Sequence, residues 1–445
     1  MISIFRYGLL LSVWLIIAAH SAPSVVGFSA GHNQSLFIED DGSLWVMGNN
    51  TYGKLGDGTY NNTNRPAKIV SSGVFGVAVG GGSFFRMSDG SLWAMGPNDY
   101  GQLGDGTFNS TNIPQKVVSG GIVAIAAEDF HTLLLKTNGS LWAMGYNGYG
   151  ELGDGNTNNS DQPIQIVPGY VTKIAAGGLH SLFMKSDGSL WCMGFNGYGE
   201  LGDGTFNDAV WPELIMASNV TAIAAGAAHS IFLKSDGSLW AMGWNDFGQL
   251  GDGTFSSTNR PEQIVESNVT AIACGASHSL FIKSDGSLWG MGYNADGELG
   301  DGTFNNANRP EQIVSSGVIA ISGGSNHTLF LKSDGSLWGM GRNESGELGD
   351  GFTNGITLPE QIYPSPQPVL RISFPAVTNM QFAAACPLGG PYYLLVGTYL
   401  NQPLNQWTAV ATNIINTRTN NIFSATLTNA VNASVSQQFY ILQSQ

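Results

Sequence analysis

The pentapeptide Asp-Gly-Ser-Leu-Trp returns along this chain with its Trp at positions 45, 93, 142, 191, 240, 289 and 338, spaced 48 residues apart once and 49 thereafter. One copy varies, carrying Asn138 in place of the Asp. Seven of the eleven Trp occupy this one position, which composition alone does not produce. A fixed period of this length belongs to a solenoid or a propeller, where one supersecondary unit is copied and each copy buries its apolar faces on its neighbours.

One copy reads Val220 to Gly226, His229 to Lys234, Asp236-Gly237, Leu239 to Gly243 and then Pro261 to Val265. These four runs, A to D, are short, rich in β-branched and aromatic residues and bounded by Gly, Asp, Asn or Pro, which is the pattern of strands. Asp-Gly between B and C predicts a tight type I′ hairpin with positive φ at both central residues. Four strands in each of seven units predict an all-β, seven-bladed β-propeller, whose small sheets stack radially and leave only short edges. An open solenoid needs capping repeats of different sequence, yet copies one and seven keep nearly the whole pattern, so the ring is expected to close. Trp240 and Met242, and their equivalents, are expected to form inter-blade core, each burial contributing roughly 1.5 to 3 kcal/mol.

Charge restricts what such a ring can meet. Lys and Arg number 17 against 32 Asp and Glu, a net of -15. That balance repels a phosphate backbone, so nucleic acid is not an expected partner.

The chain opens with Arg6, an apolar run from Gly8 to Ala19, and small residues around Ser21. This is the layout of a secretory signal peptide at 1–21, and the run is short of the roughly 20 residues that span a bilayer. The mature chain is therefore expected to be secreted or extracellular, without a membrane span. Cys192, Cys274 and Cys386 are too few and scattered for a disulfide framework; the first two stand where sister copies carry Ala or Gly and read as buried fillers. Behind the propeller at 22–363, three prolines in six residues predict a stiff linker at 364–369. Six short apolar runs then predict a small antiparallel β-sandwich-like module at 370–445, with Trp407 and Tyr393 as possible carbohydrate contacts.

The string Ala-Ala-Gly-x-x-His-Ser-x-Phe-Leu-Lys-Ser-Asp-Gly-Ser-Leu-Trp-x-Met-Gly-x-Asn-x-x-Gly-x-Leu-Gly-Asp-Gly-Thr resembles the repeat of the regulator of chromosome condensation (RCC1-like) family over about residues 25 to 363. The resemblance implies a seven-bladed propeller and leaves the activity open, because the fold serves unrelated functions. Nucleotide exchange on the nuclear GTPase Ran requires a nuclear chain, and this one has an export signal, acidic charge and no basic tail. The plant ultraviolet-B photoreceptors carry Trp-Arg where this chain has Gly178-Leu179, Ala227-Ala228 and Ala276-Ser277, so that activity is not implied. In compartment and architecture the chain is similar to a secreted bacterial inhibitor of β-lactamases, a propeller that binds its target through one face. The resemblance is thus to the secreted bacterial type.

His131, His180, His229, His278 and His327 share one repeat position. Ring symmetry spreads them over five blades, so they are read as ties from the start of strand B to neighbouring backbone rather than as ligands of one metal. Asp57, Asp105, Asp154, Asp203, Asp252, Asp301 and Asp350 lack the alternating oxygen ligands of a calcium loop and are read as turn caps. No nucleophile has a distinguishable acid partner, so neither a catalytic residue nor a cofactor is expected. Glu128 beside Asp129 is the nearest approach to a unique carboxylate pair.

Positions that vary among copies are where a propeller carries recognition. Before the repeated Asn stand Tyr146, Phe195, Trp244, Tyr293 and Arg342; two places after it stand Tyr149, Tyr198 and Phe247. All lie in C to D connections, which emerge on the same face as the A to B connections carrying Phe130. Tyr, Trp and Arg are enriched at binding hot spots. The expectation is a secreted, non-enzymatic scaffold that engages a protein through this face. The alternatives are a lectin-like propeller that binds an extracellular glycan and a polysaccharide-active enzyme, which requires a blade with its own carboxylate cluster.

Overall fold

The computed structural model describes residues 24–363 with their side chains, and a few backbone strands outside that range. Residues 24–363 fold into seven four-stranded antiparallel sheets, each continuous in sequence. Blade 1 consists of Val25–Ala30, Gln34–Glu39, Leu44–Gly48 and Thr63–Val70 as strands A to D. Blades 2 to 7 span 74–118, 122–167, 171–216, 220–265, 269–314 and 318–363. This is the all-β, seven-bladed propeller. Blade 7 closes on blade 1: Ser325 N donates to Gly31 O at 3.0 Å, and Phe37 packs against Tyr363 with ring centroids 4.5 Å apart.

Blade 5 shows why the repeated pentapeptide is kept. Lys234 N donates to Ser238 O and Gly237 N donates to Lys234 O, both at 3.0 Å. Gly237 has φ +78, while Asp236 is not among the residues with positive φ. The B to C hairpin is therefore a type I turn followed by a left-handed Gly, and the expected type I′ turn is corrected. The Asp is kept for its side chain: Asp236 Oδ1 accepts from Ser238 N at 2.9 Å and from Ser238 Oγ at 2.6 Å, and Ser238 Oγ accepts from Trp240 Nε1 at 2.9 Å. Asn138 supplies the same oxygen in blade 3, donors Ser140 N and Oγ, which explains why that one exchange is tolerated.

Met242 is fully buried in a cluster that joins blade 4 residues such as Leu182 and Leu190 to Phe232 of blade 5. Trp240 packs against the same cluster but is only half-buried, with Lys234 lying over its ring at 3.5 Å from the centroid. The repeated Trp thus sits at the margin of the inter-blade core, not inside it. Its cation–π partner recurs as Lys136, Lys185, Lys283 and Lys332. Cys192 is buried and Cys274 half-buried, both as free thiols.

The histidines are fully buried, but their partners are side chains of the next blade, not backbone. His131, His180, His229 and His278 bond through Nε2 to the hydroxyls of Ser181, Ser230, Ser279 and Thr328 at 2.8 to 3.0 Å, and His327 reaches Ser35 across the closure. Four of these hydroxyls donate back to carbonyls of the previous blade, as Ser230 Oγ does to Glu200 O at 2.8 Å. Because the hydroxyl proton is committed there, Nε2 must carry the hydrogen and donate, which leaves Nδ1 as a bare lone pair. The Nδ1 atoms of His131, His180, His229 and His278 have no partner.

At the residue before strand A the chain takes a positive φ in six blades. Gly serves at 73, 121 and 317 and Asn at 219 and 268, but Tyr170 adopts φ +69 with 78% of its surface exposed. A bulky residue there is strained and gains no packing in return. Tyr170→Asn is expected to raise the unfolding free energy by about 0.5–1 kcal/mol in urea denaturation. A loss of stability would mean that the ring makes a compensating contact.

The chain divides into Pro23–Tyr363 and a second unit of Met1–Ala22 with Pro364–Gln445. Residues 1–23 are outside the described residues except for the backbone strands Ile2–Ile4 and Leu11–Val13, so the signal peptide expected at 1–21 lies outside them. In the carboxy-terminal part six backbone strands form two three-stranded sheets, Val369–Ala376 with Asn379–Ala385 and Ile422–Leu427, and Thr408–Ile414 with Pro391–Gly397 and Phe439–Ser444. The side chains of Cys386, Tyr393 and Trp407 lie outside the described residues. No helix among the described residues is long and apolar enough to cross a membrane.

Candidate functional site

The C to D connection is held by the repeated Asn. In blade 5, Asn245 is fully buried; its Oδ1 accepts from Leu250 N at 2.9 Å and its Nδ2 donates to Asp252 Oδ1 at 3.1 Å. Asp252 in turn accepts from Thr254 N at 2.8 Å. This is the turn-capping role expected for the Gly-Asp-Gly carboxylates. The described residues contain no group of three or more His, Cys, Asp or Glu arranged to hold a metal. With Asn245 clamped inward, Trp244 and Phe247 on either side are pushed to the surface of the loop.

The two aromatic series read separately from the sequence are one structure. Each ring after the Asn packs against the ring before the Asn of the next blade: Tyr149 on Phe195 at 4.9 Å, Tyr198 on Trp244 at 5.7 Å, Phe247 on Tyr293 at 4.9 Å. Within each blade the pair also touches, as Trp244 does Phe247 at 5.1 Å. Tyr100 and Phe130 join the start of the series through Tyr146, at 5.0 and 6.2 Å. The result is a continuous arc of rings from blade 2 to blade 6, mostly edge to face. Tyr149, Tyr198 and Phe130 stay more than a third exposed, and the others are half-buried. The arc is therefore both packing for the loops and an accessible surface.

Arg342 follows in blade 7, beside Tyr293, with its guanidinium bonded to Glu344. It is a paired charge. Asn49 in blade 1, Pro97 in blade 2 and Ser345 in blade 7 interrupt the aromatic pattern, where Tyr52 is the one exposed ring of blade 1 in this series, so the face has an aromatic side and a more polar side.

The polar side is where the ring symmetry breaks. Blade 2 has a short A to B turn, Gly80-Gly81-Gly82, and a Cβ at Gly80 or Gly81 would fall 2.5 or 2.3 Å from backbone of Glu128 or Asp129. This bare turn lets the neighbouring loops meet over it: His32 Nδ1 of blade 1 lies 2.8 Å from Asp129 Oδ1 of blade 3. Glu128 occupies a position that is Gly in the other blades, and burial together with Asp129 pushes its carboxyl well above the usual range. Lys54, buried beneath, is lowered to about 8 by desolvation, against the pull of Asp129 and Glu347. Nothing in the local sequence joins His32 or Lys54 to this pair; the fold brings them to it.

A further set was missed. Tyr60, Phe108, Phe206, Phe255 and Phe304 are at least half exposed in the same connections, shortly after the Gly-Asp-Gly. Their regular place in the repeat was the available signal. The propeller that carries these rings is acidic as a whole: 24–363 holds all 32 Asp and Glu of the chain but 14 of its 17 Lys and Arg. Seven of those lysines lie over Trp rings.

The model of the RCC1-like domain matches residues 14–267 and, again, 121–386. The chain belongs to the RCC1-like domain family. Among solved structures, this RCC1-like chain is similar to human WBSCR16, with 22% identity, a TM-score of 0.65, and coverage of 74% of this chain and 96% of that one. It is also similar to yeast RCC1 (Prp20), solved bound to Kap60, at 20% identity and TM-score 0.66 over 80% of this chain and 88% of that one. Prp20p of Saccharomyces cerevisiae, described with its binding properties to Gsp1p and histones, gives 21% identity and TM-score 0.66 over 76% and 90%. At such identities the likeness shows the fold. No curated protein matches the chain.

Proposed function

We propose that this RCC1-like propeller is a non-enzymatic scaffold that binds a protein partner through the face bearing the aromatic arc. The arc carries the reading: rings of five successive blades touch one another and remain accessible, while the core beneath is complete without their outer faces. Aromatic side chains offer large, rigid contact area at low entropic cost, which is what hot spots use. The yeast relative is described with protein partners, and this supports the class of partner without supplying its identity. A glycan gains no support, since stacking a sugar needs a free flat face and here the rings largely cover one another edge to face.

Export belongs to the same reading and rests on the apolar run from Gly8 to Ala19; a bacterial source rests on that run together with the resemblance of the closing module at 370–445 to modules of secreted bacterial repeat proteins. The sandwich-like module at 370–445, behind the linker at 364–369, is read as an accessory to the scaffold. Amino-terminal sequencing of the protein recovered from the medium tests export, with a start at Ala22 as the expected result.

The binding face is tested by pull-down from the extracellular fraction, comparing the mature protein with the double variant Trp244→Ala and Tyr293→Ala. Capture of a specific partner is expected to fall by about tenfold or more, since truncating a hot-spot aromatic costs roughly 2 kcal/mol. The melting temperature should drop by only a few degrees, because these rings are half-buried. Undiminished capture overturns the assignment of the face.

A further inference from the structure

Away from the aromatic face, blade 2 departs from its sisters at one internal position. Arg86 on strand B is paired in register with Gly76 on strand A. The same place is held by Ile38, Leu135, Met184, Leu233, Ile282 and Leu331 in the other blades, all of them buried. A charge has replaced an aliphatic core residue. Its partner Gly76 has no side chain, and a Cβ there would lie 3.6 Å from Arg86 Nε, so the side chain runs along bare backbone. Phe75, in the preceding place, puts its ring 4.8 Å from the guanidinium carbon.

Arg86 lines a half-open pocket of about 210 Å³ between blades 2 and 3, shared with Gly76, Val77, Val123, Ala124 and Ile125. Among the described residues it has no acid within ion-pairing distance and makes no side-chain hydrogen bond. This is unexpected in a domain with more than twice as many acids as bases. A guanidinium keeps its charge, and its five N–H donors form a rigid fork that matches a carboxylate with two parallel bonds. The remaining walls are aliphatic or bare backbone. The pocket opens to solvent on one side, and its volume is of the same order as a cavity of roughly 150 Å³ that accepts benzene.

We propose that this cavity binds a monocarboxylate with a compact apolar group, aryl or branched alkyl, its carboxylate held by Arg86 and its apolar part against Val77, Val123 and Ile125. One unpaired guanidinium neutralises one negative charge, and apolar walls offer nothing to the second charge or extra oxygens of a phosphate. Such a group belongs either to a free acid or to the carboxy-terminal residue of a polypeptide.

The test is calorimetric titration of the mature protein with benzoate, with benzamide as the neutral isostere, and with a short peptide ending in Phe as the free acid or the amide. Benzoate is expected to bind and benzamide to bind at least about tenfold more weakly, the discrimination of a charge-assisted pair. Arg86→Leu, which restores the aliphatic residue of the sister blades and should fold, is expected to weaken benzoate by a similar factor. Arg86→Lys should retain part of the affinity as a point charge. If the free-acid peptide binds and its amide does not, the site takes a chain terminus; if only benzoate binds, it takes a small acid. Equal binding of benzoate and benzamide, no binding of benzoate, or full binding by Arg86→Leu overturns the proposal.

Discussion

Phe281→Ala is expected to lower the unfolding free energy by about 3–5 kcal/mol, and Trp289→Ala by about 1–3 kcal/mol, although the larger side chain is removed in the second case. The two rings are direct cross-strand partners, nearly parallel with centroids 6.1 Å apart. Their environments differ. Phe281 is fully buried in the cluster that includes Leu250, Val269 and Met291, so truncation leaves a cavity that neighbouring blades cannot refill without moving as bodies. Trp289 only abuts that cluster; its outer side is covered by Lys283 at 4.0 Å from the ring centroid, and its Nε1 donates to Ser287 Oγ. Removing it costs a margin contact, a cation–π pair and a hydrogen bond that water can replace. Urea denaturation of both variants decides the order, and a Trp289→Ala loss equal to that of Phe281→Ala would move the repeated Trp into the core.

That contrast marks how far the sequence could be read. The period, the four runs and the closure were legible because each repeats seven times, and any single irregularity is outvoted. The Trp was misplaced for the same reason: repetition reports that a residue is constrained and not which constraint acts. Here the constraint is the chain Asp236, Ser238, Trp240 with Lys234 above, a local network that serves the turn as much as the core. The turn type failed because Asp-Gly fits two hairpin geometries, and only the hydrogen-bond register selects between them. The histidine partners failed because they lie 50 residues ahead in the next blade, a relation that no local pattern contains. In the candidate site, the aromatic residues were found one by one from their variability. Their interlocking was not, since it depends on how far one blade is rotated from the next. His32 meeting Asp129 was further out of reach, as it needs the missing residue of blade 2 to be felt across two loops.

The same inter-blade layer should make stability depend on pH in two opposed ways. Burial holds His131 and His278 down to about 4 and His180, His229 and His327 to about 3. Burial also raises Glu151 and Glu200 to about 7 and Glu298 to about 8, and moves Glu347 in the same direction. In the unfolded chain histidine takes up its proton near about 6.5, while the folded protein refuses it until far lower. That contribution is complete above about 6.5 and is lost as pH falls towards 4. The glutamates run the other way. Folded, they keep a proton that the unfolded chain releases near about 4.3, so their contribution is present below that pH and is lost as pH rises through 7 to 8. Between about 4.5 and 6.5 the two sets oppose each other, so stability is expected to change little there, with a decline on both sides. Asp236 and its equivalents, lowered by hydrogen bonds from the following Ser, steepen the acid side. Blades 2 and 5 carry Gln102 and Gln249, and blade 1 Lys54, where blades 3, 4, 6 and 7 have Glu; Gln249 donates no proton at any pH while its Oε1 accepts from Phe247 N as Glu200 Oε2 accepts from Tyr198 N. A Glu151→Gln, Glu200→Gln, Glu298→Gln variant is therefore expected to gain several kcal/mol at pH 9, at roughly 1.4 kcal/mol per pKa unit removed, with its acid limb unchanged. Denaturant titrations from pH 3 to 9 read both limbs. An alkaline limb that survives the triple exchange would show that these carboxyls ionise freely in the folded ring and that some other group sets the decline.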